Sequence, residues 1–209
     1  MYTQGVVREV AFDEVFDSQA IFRVLLDALS RPGKVIQLPG IAWTGSPPGF
    51  PAAALSVLKT LCDHRVSFSL GRPNERRAWI SYLEVNLSTP FRRLEEADFV
   101  LFDGAGFDEE FAYLKRGTPE FPERSATALL CIGALADFQA APVETVRTLS
   151  LEGPGVEGRA ALAVSGLDGR YVDERARANR FAPMGIDLIL VDEAGRVAGI
   201  PRSTRVEAA

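Results

Sequence analysis

The residues best suited to bind an anion are three consecutive side chains near the end of the sequence, Arg202, Ser203 and Thr204. They follow a short apolar stretch that ends in Ile200 and Pro201. A guanidinium group can bind two oxygens of a phosphate or phosphonate, and neighbouring hydroxyls add further donors. The same arginine could instead bond to carbonyls at a helix end, or to an acid on a partner subunit. The sequence therefore allows an anion site or a structural or intersubunit contact.

Four more residues are candidates for the same roles. Arg23 lies in the clearest helical stretch, where it can pair with Asp27 one turn further on. The other three belong to the turn "GTPEFPE": Gly117, Thr118 and Glu123. We expect Gly117 to end a helix, and Thr118 and Glu123 to shape the turn, with contact to a ligand as the alternative.

The remaining reactive residues show no catalytic pattern. His64 is the sole histidine and lies in a connector, where a structural or solvated role is more common than catalysis. The three lysines, Lys34, Lys59 and Lys115, lack the distinctive context of a Schiff-base lysine. Metal-ligand spacing, phosphate-binding loops and nucleophile elbows are also missing. From the residues alone we expect no catalytic centre, no metal and no cofactor.

Size and composition fit an ordinary globular protein. The 209 residues suit one domain, 1–209, and are 47% hydrophobic and 24% charged. The net charge of −5 argues against binding nucleic acid, which requires a basic surface. Cys62 and Cys131 lie in apolar runs and are expected to be buried free thiols, which suits a reducing compartment. No long apolar segment or signal peptide is evident, so we expect no membrane contact and a cytoplasmic location.

The apolar pattern predicts four helices along the chain and leaves a fifth stretch ambiguous. The stretch "FDSQAIFRVLLDALSRPG" places four apolar residues on one helical face, begins at a capping Asp17 or Ser18, and ends at "RPG". The predicted buried face consists of Phe22, Leu25, Leu26 and Leu29. A second helix follows Pro51, "DEEFAYLKRG" is a short helix, and "YVDERARANRF" is a helix that is mostly exposed. "RAWISYLEVNL" could be helix or strand.

Predicted strands alternate with these helices. "VSFSL" has the alternation of a half-buried strand, and "DFVLF" and "ATALLCIGAL" are each read as one buried strand. "TVRTLSLEGPG" and "RAALAVSG" are expected to pair in antiparallel fashion. The chain ends in a hairpin of Ile186–Val191 and Arg196–Ile200, and Asp187 within it needs backbone N–H groups or an arginine as partner. The interleaving predicts an α/β protein, a single domain with a mixed sheet covered by helices.

Several of these stretches resemble one family, the H subunit of the bacterial phosphonate carbon–phosphorus lyase complex, the PhnH family. The similar segments are "FRVLLDALSRPG", "SVLKTLCD", "GTPEFPERSAT", "LEGPGV" and "PMGIDLIL…IPRSTRVE", which occur in the family's order from Phe22 to Glu207. The terminal pair of motifs is the most specific. Ser125 stands where the family usually has glycine, and Ser203 where it has threonine.

The resemblance implies a fold like that of the pyridoxal-phosphate-dependent transferases, without the cofactor. It also implies a role in phosphonate catabolism during phosphate starvation. With partner subunits, the family is needed to transfer the ribose triphosphate of ATP to an alkylphosphonate and release adenine. The implied partners are the G, I, J and L subunits, and a second copy when the chain is alone. The resemblance thus implies a subunit without independent catalysis. The alternatives are a stand-alone enzyme that binds its own phosphorylated ligand, and a plain dimeric scaffold.

Overall fold

The elements of the fold follow the predicted interleaving of helices and strands. The computed structural model describes residues 12–40, 46–72, 75–137 and 147–208. The helices in these ranges are α1 (Phe16–Ser30), α2 (Ala52–Leu61), α3 (Arg77–Leu87) and α4 (Arg170–Ala178). The strands are β1 (Ile36–Gln37), β2 (Phe68–Leu70), β3 (Phe99–Asp103), β4 (Thr127–Ile132), β5 (Ala134–Asp137), β6 (Arg147–Glu152), β7 (Ala160–Ser165), β8 (Asp187–Asp192), β9 (Arg196–Ile200) and β10 (Arg205–Ala208).

A six-stranded mixed sheet forms the centre, in the order β1-β9-β8-β4-β3-β2. Strands β2, β3, β4 and β8 run parallel to one another, and β9 and β1 complete the sheet in antiparallel fashion. The parallel strands are apolar along their length, as expected for strands covered on both faces. The predicted α/β class with a mixed sheet and covering helices is confirmed.

A second, four-stranded antiparallel sheet lies against one face of the first, in the order β10-β6-β7-β5. The predicted pairing of β6 with β7 is confirmed. Side chains such as Phe102, Leu130 and Leu190 of the central sheet pack with Leu149 and Leu162 of the second sheet and with Tyr171 of α4 in one core. The other face of the central sheet packs against α1, α2 and α3 in a separate core. The architecture therefore has three layers.

The first helix buries a different face from the one predicted. Its buried residues are Ile21, Leu25 and Ala28, of which Leu25 was predicted correctly, while Phe22 is 46% and Leu26 51% exposed. Small Ala28 lies inside because α1 approaches the backbone of Gly199 on β9. The predicted cap was also wrong. The Asp13 carboxylate accepts hydrogen bonds from the N–H groups at the start of α1, and neither Asp17 nor Ser18 forms the cap.

The predicted strand "ATALLCIGAL" is two strands that belong to different sheets. It divides at Gly133, where the chain leaves β4 of the central sheet and enters β5 of the second sheet. A Cβ on Gly133 would lie 3.1 Å from Ser165 Oγ, so the neighbouring strand crowds this corner. A second passage between the sheets follows β9, where residues 201–204 lead directly into β10. The two sheets are therefore linked by short turns at two places.

Other local differences have simple causes. β2 is buried along its length, not half-buried, because Phe68 and Leu70 pack in the core beneath the helices and Ser69 on the other face is also buried. The ambiguous stretch "RAWISYLEVNL" is the helix α3. The short helix after Asp108 is a single 3-10 segment, Glu109–Tyr113, so the prediction that Gly117 ends it was wrong. None of the helices in the described residues is long and apolar enough to cross a membrane.

We predict that Gly199→Ala destabilises the protein by disturbing the contact between α1 and the sheet. An added Cβ would lie 2.7 Å from Leu29 N and 2.8 Å from the Ala28 carbonyl carbon. These are backbone atoms of a helix, so they can shift only by distorting α1. Overpacking of this kind costs about 1–3 kcal/mol, which lowers Tm by roughly 3–10 °C for a chain of this size. Differential scanning fluorimetry measures the change.

Gly40→Ala is the matched control, because its added Cβ meets no atom within 4 Å. Equal melting temperatures for the two variants would show that the close approach of α1 to β9 does not constrain the fold.

Candidate functional site

Arg202 is held inside the chain by the first residue of β8. Its backbone N–H donates to Asp187 Oδ1 at 2.6 Å, and its Nε lies 3.2 and 3.1 Å from the two carboxylate oxygens of Asp187. Nη2 pairs with the same carboxylate, and Nη1 donates to the Pro122 carbonyl. The prediction that Asp187 bonds to backbone N–H groups or an arginine is confirmed, since Arg202 provides both.

The turn that carries Arg202 is fixed from beneath by a buried arginine of α4. Arg175 is 2% exposed, and its guanidinium donates to the carbonyls of Ile200, Pro201 and Thr204, with Nη1 at 3.0 Å from Thr204 O. Burial lowers the pKa of Arg175 to about 10, so the group stays charged at neutral pH. Asn179 adds hydrogen bonds to Ile186 and to the Arg202 carbonyl. The prediction that this helix is mostly exposed was wrong, because Tyr171, Val172, Arg175 and Ala178 are buried.

The two predicted turns meet at the Pro122 carbonyl. Gly117 has a φ of +74°, and a Cβ there would lie 2.7 Å from the same Pro122 oxygen that accepts from Arg202. Thr118 closes the turn, because its N–H donates to Phe121 O at 3.2 Å and its Oγ1 accepts from Phe121 N at 3.1 Å. Glu123 is exposed in a one-turn 3-10 helix. The structure therefore places the "GTPEFPE" turn against Arg202.

The hydroxyls next to Arg202 differ in accessibility. Ser203 is exposed, whereas Thr204 is 2% exposed and its Oγ1 has no hydrogen-bond partner among the described residues. A ligand at the surface could reach Ser203 but not the Thr204 hydroxyl. Ser125 has a φ of −75°, so this position does not require glycine here.

Arg23 lies apart from this network on the exposed face of α1. Its predicted ion pair with Asp27 is wrong, because Asp27 pairs with Arg31 and with Lys34, whose Nζ is 2.8 Å away. Within the described ranges Arg23 forms neither an ion pair nor a side-chain hydrogen bond. Arg23 is thus an exposed cation without a partner among the described residues.

The network lies at the amino end of the parallel strands. Asp187 is the first residue of β8 and is aligned with Thr127, the first residue of β4. Ligands of open α/β sheets usually bind at the opposite, carboxyl end of the strands. Along a six-residue strand such as β8 that end is about 17 Å away. The sequence-predicted residues thus occupy the edge of the sheet that less commonly binds ligands.

A cleft of about 560 Å³ lies at the carboxyl end of the same strands. Its walls are the first turn of α2, Trp79 of α3, and the ends of β3, β4 and β8. The described charged residues that line it are all acidic: Asp103, Asp192 and Glu193. Asp192 is fully engaged, because it accepts hydrogen bonds from the backbone of Leu135 and from Arg196. Asp103, with a half-exposed side chain, and the exposed Glu193 are the carboxylates that a ligand in the cleft could reach.

An arginine–tryptophan pair supports the Asp103 carboxylate. Arg76 Nη2 donates to Asp103 Oδ2 at 3.2 Å, and its guanidinium lies 4.6 Å from the ring centroid of Trp79. Phe50 packs edge-on against Trp79 at 5.2 Å. Arg76 and Trp79 were not predicted as site residues, because "RAWISYLEVNL" could be helix or strand and neither residue belongs to a recognised motif. The arrangement can accept hydrogen bonds from hydroxyl or amino groups of a ligand.

The cysteines and lysines offer no nucleophile at this cleft. Cys131 lines it, but burial raises the pKa of its thiol far above neutrality. Burial likewise raises the pKa of Cys62 to about 12, and both cysteines are free thiols as predicted. The three lysine amines pair elsewhere, with Asp27, Glu14 and Asp98. No group of metal-ligating side chains occurs in the part of the chain that the structure describes.

The fold and these sites define an α/β protein with a tightly fixed terminal turn, and comparison with known proteins gives its family. The family model described as bacterial phosphonate metabolism protein (PhnH) matches residues 11–207. The chain therefore belongs to the PhnH family, as the sequence motifs indicated.

Two relatives illustrate the family. The alpha-D-ribose 1-methylphosphonate 5-triphosphate synthase subunit PhnH of Rhizobium meliloti (strain 1021) is 30% identical over 211 residues, which cover 99% of each chain. The protein HtxG of Stutzerimonas stutzeri, whose name describes it as a C-P lyase subunit protein, is 33% identical over 193 residues. That match covers 90% of this chain and 85% of HtxG.

We predict that Arg202→Ala lowers stability, because it removes the partner of a partly buried carboxylate. Losing a charge-assisted hydrogen bond costs about 1.5–3 kcal/mol, which corresponds to a fall in Tm of roughly 3–10 °C. Arg202→Lys should recover little of this loss, since an ammonium cannot bond to Asp187 and Pro122 in the same geometry. Thermal melting of both variants measures the effect.

Ser203→Ala, at the exposed neighbouring position, is the control and should melt like the unmodified protein. If Arg202→Ala melts normally as well, the internal contacts contribute little in solution, and the arginine is available to an external anion or a partner.

Proposed function

We propose that this chain is a non-catalytic subunit of a carbon–phosphorus lyase system in organic phosphonate catabolism. Together with partner subunits it supports the transfer of ribose 5-triphosphate from ATP to an alkylphosphonate, which releases adenine. The product is a ribose 1-phosphonate 5-triphosphate. The chain acts in the cytoplasm, through assembly with the G, I, J and L subunits, and forms a homodimer when it is alone.

One observation supports this proposal more strongly than the other observations do. A relative that matches 99% of this chain, over 99% of its own length, is named as a subunit of a ribose 1-methylphosphonate 5-triphosphate synthase. An end-to-end match supports transfer of the subunit role more strongly than a match to one segment. The contacts of Arg202 agree with a mainly architectural protein, because the residues of the most specific motifs bind one another inside the chain.

The experiment is complementation in a bacterium whose own H-subunit gene has been deleted. We expect this chain, expressed with its cognate subunits, to restore growth on methylphosphonate as the sole phosphorus source. It should also co-purify with the G, I and J subunits, and light scattering should give the mass of a dimer for the free chain. A protein that neither restores growth nor co-purifies would contradict the proposal.

The stand-alone enzyme is tested with the same material. The isolated chain incubated with ATP and methylphosphonate should release no adenine, whereas the co-expressed subunits should. Adenine release by the isolated chain at a rate comparable to that of the assembly would favour the alternative, and the cleft beside Asp103 would then be the place to look for its substrate.

We further propose that the fold is related to that of pyridoxal-phosphate-dependent transferases but does not use the cofactor. The residues do not fit it, because a Schiff base needs a lysine in the ligand cleft. Lys34 and Lys59 pair with surface acids, and Lys115 pairs with Asp98 at the amino end of β3. We derive no chemistry through this group.

We predict that the protein forms no internal aldimine when incubated with pyridoxal phosphate. Absorbance spectroscopy after gel filtration checks this expectation, and an exposed surface lysine would give at most a weak, substoichiometric band. A stoichiometric aldimine band that disappears on mutation of one of the three lysines would contradict the prediction.

A further inference from the structure

Helix α1 has a second apolar surface that the fold does not cover. Val15 is 70%, Phe22 46% and Leu26 51% exposed, although each is a large apolar side chain. Val15 precedes the helix with helical backbone angles, so the three residues continue one helical path. Their spacing of seven and four residues places them on one side of the helix, because each residue turns the helix by about 100°. We call Val15, Phe22 and Leu26 the outer stripe of α1.

The outer stripe is distinct from the face that holds α1 on the sheet. Ile21, Leu25 and Ala28 make that contact and are at most 1% exposed. Half of the exposed large hydrophobic residues in the described ranges lie within or immediately before α1, since Phe16 is also 73% exposed. Scattered apolar residues on a surface need no explanation, but a concentration along one helix marks an interaction surface.

The charge beside the stripe indicates what kind of partner fits. Arg23 flanks the stripe, three residues before Leu26 on the helix, and has no ion pair among the described residues, because Asp27 is taken by Arg31 and Lys34. A partner that covers the stripe would also remove water from the Arg23 guanidinium at its edge. Such a charge needs a carboxylate opposite it.

A second copy of this chain fits this requirement poorly. Two α1 helices packed antiparallel about the middle of the stripe would place Arg23 opposite Gln19 of the other copy, which is uncharged, and more than two turns from Asp27 of that copy. Asp27 is already paired within its own chain. Self-association would bury the apolar residues but leave the two Arg23 cations without carboxylates.

We propose that the outer stripe of α1, with Arg23 at its edge, is the docking surface for an apolar helix of a different subunit that carries a carboxylate. The stripe covers eleven residue steps, about 16 Å of helix, which matches about three turns of a partner helix. The assignment rests on the proposed function, because it takes the partner to be another subunit of the same assembly.

The test measures binding of the isolated chain to the co-expressed G, I and J subunits, immobilised for biolayer interferometry. The double substitution Phe22→Gln and Leu26→Gln removes the apolar stripe while keeping good helix formers at exposed positions. We expect its affinity to fall at least 30-fold, as for residues at the centre of an interface. Arg23→Glu should lower affinity about tenfold and slow association at low salt.

Phe181→Ser is the matched control, since Phe181 is 63% exposed but lies outside α1. It should bind like the unmodified chain, and circular dichroism should show that every variant is folded. A carboxylate-to-lysine substitution in the partner that restores binding of Arg23→Glu would support the proposed charge contact.

Three outcomes would overturn the proposal, and they differ from one another. Unchanged binding by the stripe variants, with the unmodified chain still bound, would place the subunit contact elsewhere and leave the proposed function intact. Conversion of a dimer to a monomer by the stripe variants, measured by light scattering, would make the stripe a contact between two copies. No binding by the unmodified chain would contradict the proposed function itself.

Discussion

The turn between β9 and β10 depends on one buried cation. Within four residues the chain leaves the central sheet and enters the second sheet, so its carbonyls cannot continue the pairing of either strand. Buried carbonyl groups need donors, and the Arg175 guanidinium supplies them to Ile200, Pro201 and Thr204. A side chain without N–H donors would leave the Thr204 oxygen without this donor, whereas the Pro201 oxygen would keep its hydrogen bond from the Thr204 N–H. The charge is therefore stabilised by peptide dipoles and by attraction to the Asp187 carboxylate, which also bonds directly to Arg202.

Much of the fold was predictable from apolar spacing. The predictions that failed, in α1 and at Gly133, have identifiable physical causes. In α1 two sets of residues share helical spacing, Ile21 with Leu25, and Phe22 with Leu26. Apolar spacing correctly placed Leu25 inside but chose Phe22 and Leu26 over Ile21, because it could not show that the close approach of Gly199 puts Ala28 at the contact. The division at Gly133 was missed for a related reason. An apolar run remains apolar when the chain turns a corner between two buried sheets.

The residues of the terminal turn were partly predictable. A charge at the start of a buried strand requires a partner, and this argument gave Asp187 the type of partner that it has. Arg175 was not predictable, because its acceptors are backbone carbonyls, which leave no trace in side-chain chemistry. The cleft is built from Phe50, Trp79 and Asp103, whose proximity depends on the order of strands in the sheet and not on any local motif.

The strand order also has a consequence for biosynthesis. β1 is made early, yet its neighbour in the sheet is β9, and β4 is flanked by β8. A nascent chain on the ribosome can form α1, α2 and the β2–β3–β4 unit, but β1 and the exposed side of β4 must wait for residues 187–200. Long-range pairing of this kind slows folding. During translation the half-finished sheet therefore presents an open apolar edge that chaperones, or the cell's proteases, can reach before the last strands close it.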